Sequence, residues 1–266
     1  MPLDDKWLFH KSHSTPKFWN VSSKVTVILV GTLSKIWTVW LNRTKVYNRE
    51  QLDDALELRS HDKGLLTVCN HHSCLDDPLL WGILKRKHLH NGDLMRWTPG
   101  ADDVCFTKYL HALFFSLGKT VPIIRGEGVY QRSMDFLLEQ LNKGKWVHFF
   151  PEGKVNLGKE DLRLKWGVGR LISDCKKIPL VLPFWHFGMD DILPNRSPYI
   201  PKIMKHVTVL IGEPLDFRED LVVLQQLKKS PREIRKHITD RIQEEFLVLK
   251  KRAEALHYSK ELTESS

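Results

Sequence analysis

This chain of 266 residues has little cysteine, a deficit of acid against base, and no long uninterrupted apolar run. Its four cysteines, Cys69, Cys74, Cys105 and Cys175, form no C-x-x-C pair. A chain of this length has core enough to fold without disulfide staples, so reduced thiols or small core residues are expected. The paired ligand spacings of a zinc site are also missing where Cys69, His71, His72 and Cys74 crowd together, and no metal is expected. No serine lies in a G-x-S-x-G setting, which argues against a hydrolase nucleophile at Ser73 or Ser116. Residues 1–18 include Asp4, Asp5 and Lys6, unlike a secretory signal or an Arg-rich transit peptide. There is no internal repeat and no low-complexity linker.

What is abundant is positive charge and tryptophan. Lys and Arg number 41 against 32 Asp and Glu, a net charge of +9 that favours anionic partners. The nine Trp suit sites with one apolar and one wet side, such as a membrane interface. The basic residues are dispersed and no nucleic-acid reading motif occurs, so lipid is favoured over nucleic acid.

Residues 25–41 are rich in aliphatics and Trp but carry Lys35. As a helix they would span about 26 Å, slightly short of a hydrocarbon core about 30 Å thick. Val25, Leu29, Leu33, Ile36 and Trp40 share one face; Lys24, Gly31, Lys35, Thr38 and Asn42 share the other. Two readings stand side by side: a helix lying in a membrane interface, or an amphipathic helix packed on the protein's own core. The expected organisation is an N-terminal segment, 1–52, with a membrane-associating helix at about 22–41, and one domain over 53–266.

Beyond residue 64 short apolar runs alternate with helical patterns. Strands are expected at 65–69, 94–97, 120–124, 146–150, 180–184 and 207–211, the fifth broken by Pro183. Helices are expected at 76–87, 106–117, 129–141 and 165–175. Ser230-Pro231-Arg232-Glu233 forms a capping box with Pro at the first helical position, opening a long amphipathic helix through Ile234, Ile238, Ile242, Phe246 and Leu249. This alternation implies an α/β fold with a mixed, largely parallel central sheet flanked by helices. Such sheets bind ligands at the carboxyl ends of their strands.

Chemistry concentrates in Asn70-His71-His72-Ser73-Cys74-Leu75-Asp76. His71 follows a buried strand and Asp76 opens a helix five residues later, so a turn folds the carboxylate back toward the imidazole. A carboxylate on one ring nitrogen fixes the tautomer and makes the other nitrogen a better proton acceptor. A loop His and a capping Asp recur in many proteins, so the pattern alone decides nothing. Other blocks accompany it. Gly118 to Arg125 ends in an Arg at a strand's carboxyl end, suited to gripping phosphate. Phe149-Phe150-Pro151-Glu152-Gly153-Lys154 ends another strand, and Ile178 to Pro183 supplies an apolar one.

The order N-H-x4-D, a block ending in Arg, F-P-E-G, and an apolar Pro-containing strand resembles the glycerophospholipid acyltransferase family over residues 65–214. Further blocks, including Met95-Arg96-Trp97-Thr98-Pro99, Leu164-Lys165-Trp166-Gly167 and Trp185-His186-Phe187-Gly188-Met189, are similar to one branch of it. That branch consists of mitochondrial transacylases that remodel cardiolipin without coenzyme A. The resemblance implies His71 as general base and Asp76 as its orienting partner. It implies Arg125 and Lys154 as phosphate ligands, with Glu152 and Gly153 completing the substrate site. Glu152 would bind a glycerol hydroxyl or orient Arg125. Backbone N–H groups near 151–153 would serve a developing oxyanion. Lysophosphatidate enzymes of the family follow F-P-E-G with Thr-Arg-Ser; here Lys154-Val155-Asn156 stands instead, which disfavours free lysophosphatidate and leaves room for bulkier head groups.

The implied partners are membrane phospholipids and lysophospholipids (cardiolipin, monolysocardiolipin, phosphatidylcholine) at the inner and outer mitochondrial membranes, on the intermembrane-space side. No cofactor is implied. His72 is expected to be structural or solvent-facing, Cys74 a small packed thiol, Asp77 a helix cap, and His186 a satisfied polar group. Two other readings remain: an acyl-coenzyme-A-dependent lysophospholipid acyltransferase, and a non-catalytic basic protein that binds anionic membranes.

Overall fold

The computed structural model describes residues 7–8 and 16–264; most of the stretch 1–18 considered above lies outside them. The alternating pattern folds into a parallel sheet with one reversed neighbour. Its strands are β1 (Arg43–Tyr47), β2 (Leu65–Cys69), β5 (Trp146–Phe149), β6 (Leu180–Phe187) and β7 (His206–Ile211), in the spatial order β1-β7-β6-β2-β5. Only β6 and β7 run antiparallel. A two-stranded parallel pair, β3 (Thr98–Ala101) and β4 (Thr120–Ile123), continues the sheet beyond β5 through a bridge between Trp97 and Val147.

The interior strands are mainly apolar because both of their faces are covered. Along β2, Leu66 and Val68 point into one core with α7 (Arg132–Asn142), α8 (Gly167–Ser173) and α11 (Pro231–Glu264). Leu65 and Cys69 point into the opposite core with α2 (Arg49–Glu57) and α3 (Asp76–Leu80). The capping box opens α11 as its spacing requires: Ser230 Oγ accepts from the Glu233 N–H, and Glu233 accepts from the Ser230 N–H at 2.9 Å.

Several elements differ from expectation, each for a local reason. Residues 91–94 form a turn, closed by the Leu94 N–H on the Asn91 carbonyl at 3.0 Å; of 94–97 Trp97 alone bridges, to Val147, and the strand begins at Thr98. β6 does not stop at Pro183. It runs parallel to β2 up to Phe184 and antiparallel to β7 from there, so the proline sits where the strand changes partners. β1 and α2 fall where a separate N-terminal segment was expected. β1 is an edge strand of the main sheet, and α2 spans the expected 52/53 boundary.

The N-terminal helix α1 (Pro16–Lys35) passes into a single π-helical stretch, Ile36–Trp40. It docks through its small and polar stripe. Ser23, Val27, Gly31, Ser34 and Thr38 are buried, and Gly82 has no room for a side chain because its Cβ would lie 2.6 Å from the Ser34 carbonyl. Ser23 Oγ donates to the Leu117 carbonyl at 2.7 Å and Thr38 Oγ1 to that of Leu79 at 2.9 Å. Lys35 donates to the Gly82 and Leu84 carbonyls, at the end of the 3₁₀ turn Trp81–Ile83. The apolar stripe faces outward. Val25, Leu29, Leu33 and Trp40 are each at least half exposed, between 50 and 66 %. The helix therefore packs on the body, but with the face opposite to the one a self-buried amphipathic helix would use. Among the described residues no helix is long and apolar enough to cross a membrane.

Candidate active site

Three adjacent strands bring the chemistry together. β2 ends at Cys69 and delivers Asn70 and His71, β5 delivers Phe150 and Glu152, and β6 carries His186. The turn 71–76 closes as its spacing suggests. Asp76 Oδ2 lies 2.9 Å from His71 Nδ1 and accepts the backbone N–H groups of His72 at 2.7 Å and Ser73 at 2.9 Å. An ionised carboxylate only accepts, so Nδ1 carries the proton and His71 Nε2 keeps a lone pair. The His71 ring is stacked on Phe150 with centroids 4.3 Å apart, and its side chain is 19 % exposed.

Asp76 is fully buried. Burial opposes its charge most strongly, but the facing imidazoles of His186 and His71 outweigh this and hold the carboxyl well below its ordinary range. Asp77 does not cap the helix. It accepts from Trp81 Nε1 and Arg96 Nε, both at 3.1 Å, and forms an ion pair with the Arg96 guanidinium.

Glu152 is buried and holds the motif loop. Its Oε1 accepts the His71 N–H at 2.9 Å, while its Oε2 has no hydrogen-bond partner. Burial pushes this carboxyl up. The Asn156 N–H caps the His71 carbonyl at 2.6 Å, so the peptide groups on both sides of His71 are pinned from the loop after β5. Glu152 does not orient Arg125, whose guanidinium lies 3.3 Å from Asp103 Oδ2 on a half-exposed loop. Gly153 takes a left-handed turn (φ +72°), and its N–H, one of the expected oxyanion donors, is taken by the Phe150 carbonyl at 3.1 Å. Lys154 is exposed. The structure thus brings together His71, Asp76 and Glu152, and leaves Arg125 and Lys154 on surface loops.

Residues given bland roles divide. His72 is buried and structural: Asn70 Nδ2 donates to its Nδ1 at 3.2 Å, and burial lowers its pKa to about 3. Cys74 is exposed rather than packed. His186 is fully buried, but it is not satisfied, because neither ring nitrogen has a hydrogen-bond partner.

Beside the motif loop lies a cavity of about 460 Å³, lined mostly by apolar side chains. Cys74, Leu75 and Pro78 form one wall; Val27, Leu33 and Trp37 of the N-terminal helix region form another, with Phe114 and Pro201 also lining it. Its size lies within the range of small-ligand pockets, about 300–1,000 Å³. The arrangement is a base with a free lone pair, oriented by a buried carboxylate, on the loop whose Cys74 and Leu75 line an apolar cavity.

A family model described as Acyltransferase matches residues 43–186, more than half of the chain. Tafazzin of Drosophila melanogaster is 46 % identical over 97 % of this chain and 68 % of its own length. The chain belongs to the tafazzin family of acyltransferases. Tafazzin of Saccharomyces cerevisiae is 30 % identical over 77 % of this chain and 65 % of its own length. An N-acylphosphatidylethanolamine synthase of Arabidopsis thaliana is 34 % identical over 84 % of this chain and 79 % of its own length. Among solved structures, the 1-acyl-sn-glycerophosphate acyltransferase PlsC of Thermotoga maritima superposes with a TM-score of 0.56 at 19 % identity, covering 84 % of this chain and 79 % of that one. At that identity the likeness carries the fold, and the tafazzin-family sequence carries the activity class: acyl transfer involving phospholipids.

Proposed function

We propose that this tafazzin-family acyltransferase is a coenzyme-A-independent transacylase. It would move acyl chains from phospholipids to lysophospholipids and so remodel cardiolipin at mitochondrial membranes, on the intermembrane-space side. The observations that carry the reading are the free His71 Nε2 and, on the same loop, Cys74 and Leu75, which line an apolar cavity shared with Leu33 of the exposed stripe of α1. Val25, Leu29, Leu33 and Trp40 would enter the interface, and an acyl chain could then pass from the membrane into the cavity past Leu33. Residues 1–52 thereby act as the membrane-associating part, although β1 and α2 tie them to the catalytic body.

In the reaction, His71 Nε2 takes the proton of the lysolipid hydroxyl as its oxygen attacks the donor's ester carbonyl. Asp76 holds the ring through Nδ1–H and balances the imidazolium that forms. The tetrahedral intermediate collapses, the ester C–O bond to the donor's glycerol breaks, and His71 returns the proton to that departing oxygen. Atoms and protons balance with no group left on the enzyme. We assign Arg125 and Lys154 to head-group phosphates, Arg125 exchanging Asp103 for phosphate, and Glu152 and Gly153 to the loop that frames the acceptor.

The Arabidopsis relative's name specifies acyl transfer to an amine, and a base at His71 would serve an N–H acceptor equally. The test is transfer of a labelled acyl chain from phosphatidylcholine in vesicles that also carry monolysocardiolipin and phosphatidylethanolamine, with coenzyme A absent. The account expects labelled cardiolipin. Labelled N-acylphosphatidylethanolamine alone would move the acceptor from oxygen to nitrogen. Transfer only after acyl-coenzyme A is added would overturn the transacylase reading.

A further inference from the structure

His186 is a buried imidazole that the reaction above does not use. It stands on β6, next to β2, and both residues flanking it in the chain are aromatic. Its Nε2 lies 3.3 Å from Asp76 Oδ2, an ionic contact, and neither ring nitrogen makes a hydrogen bond. Both side chains are fully buried. An imidazole without hydrogen bonds in such a place is costly, and an apolar ring would fill the same volume at lower cost.

Its placement is fixed by the residue before the base. Asn70 Oδ1 accepts the His186 N–H at 2.8 Å, and Asn70 Nδ2 donates to the His186 carbonyl at 3.0 Å. This reciprocal pair clamps β6 to the end of β2, one residue ahead of His71. The Asp76 carboxylate is consequently held between two imidazoles, one in the loop after β2 and one on β6.

We propose that His186 is a positioning residue for the base: it presents Nε2–H to Asp76 and keeps the carboxylate ionised and turned toward His71. This rests on the His71–Asp76 reading of the site. Burial opposes a charge on His186, but Asp76 outweighs it and the ring's pKa is raised above the ordinary value. The other charged or titratable groups around it are His71 and His72 of the motif loop, His148 of β5, Glu152 after β5, and Asp190 of α9 (Met189–Ile192), itself paired with Lys159 at 2.8 Å. Among them Asp76 is the carboxylate within ionic contact. Removing the second imidazole takes a positive charge or donor from the dyad, so the dyad binds its proton more tightly and the acidic limb of the pH–rate profile moves up.

The test compares His186→Phe, which keeps an aromatic ring without N–H, with His186→Gln, which keeps a donor, in the vesicle transfer assay across pH. For His186→Phe we expect kcat to fall on the order of tenfold, with KM little changed. Its acidic limb should rise by about one pH unit. His186→Gln should recover most of kcat. A His186→Phe enzyme with wild-type kcat and pH profile would overturn the proposal and leave the ring a filler. Should thermal unfolding show that both variants fail to fold, nitrogen-15 NMR of the wild type decides. A proton on His186 Nε2 whose shift changes in Asp76→Asn supports the role, and an unprotonated Nε2 overturns it. A fully active His71→Ala would remove the dyad itself, whereas an inactive His71→Ala beside an unaltered His186→Phe would remove only the role of His186.

Discussion

At the scale of single residues, the five-residue interval from His71 to Asp76 was readable because the contact is local. The carboxylate can reach the imidazole only by a turn, and that turn also places the His72 and Ser73 N–H groups on Oδ2. What was not readable came from distant strands. Glu152 is 81 positions from His71 and His186 is 110 from Asp76, and no spacing rule connects them. One signal was available for His186: a histidine inside an apolar strand, where water cannot satisfy its ring. The same cost shows in His148, which is fully buried on β5, with Nδ1 2.7 Å from Thr67 Oγ1 and its pKa pushed down to about 3 by burial. Such a group stays neutral in the folded chain while the unfolded chain protonates it below about pH 6.5. Its contribution to stability is therefore complete above that pH and is lost as pH falls toward 3. Between pH 6.5 and 5 the loss from His148 should be about 2 kcal/mol. His186, whose pKa is raised, acts in the opposite sense, so the measurement is a difference. The urea-unfolding free energy of His148→Gln should fall less steeply over this range than that of the wild type, and equal slopes would contradict the assignment.

At the scale of elements, periodicity identified the two faces of α1 but not the direction in which each points. A stripe of Leu and Val is normally taken to seek the core. Here close packing decides instead: Gly82 lets the Ser34 backbone approach, Gly31 makes room for the Leu89 side chain, and Ser23, Lys35 and Thr38 find carbonyls at the ends of neighbouring turns. The Leu and Val stripe is left outside. β1 and α2 were missed for a related reason. Arg43–Tyr47 has only Val46 and Tyr47 as apolar residues, which is enough for an edge strand but weak as a sequence signal. Leu29 and Leu33 are 59 and 64 % exposed, so replacing both with Asp should leave the thermal unfolding midpoint near the wild-type value. Vesicle binding should weaken roughly 100-fold or more, from lost apolar transfer and added charge repulsion at anionic lipid. Sedimentation with cardiolipin-containing vesicles measures this, and undiminished binding would mean that the membrane meets another face.

At the scale of the whole molecule, the alternation of strands and helices was sufficient for the layer arrangement, because parallel strands buried on both faces require helices on each side. The sheet then does what open α/β sheets do: it gathers the ends of β2, β5 and β6 into one site. α1 makes part of the wall of the cavity that Cys74 and Leu75 of the motif loop also line, so the exposed apolar stripe and the loop that carries the base share one cavity. The central claim is that His71 moves the proton in acyl transfer while the rest of the molecule binds the lipid surface. The most direct measurement is the turnover of His71→Ala for acyl transfer between vesicle lipids without coenzyme A, together with its vesicle binding and unfolding midpoint. The account predicts a loss on the order of 10²–10⁴-fold in turnover with binding and midpoint unchanged. A folded, vesicle-bound His71→Ala that turns over near the wild-type rate would contradict it.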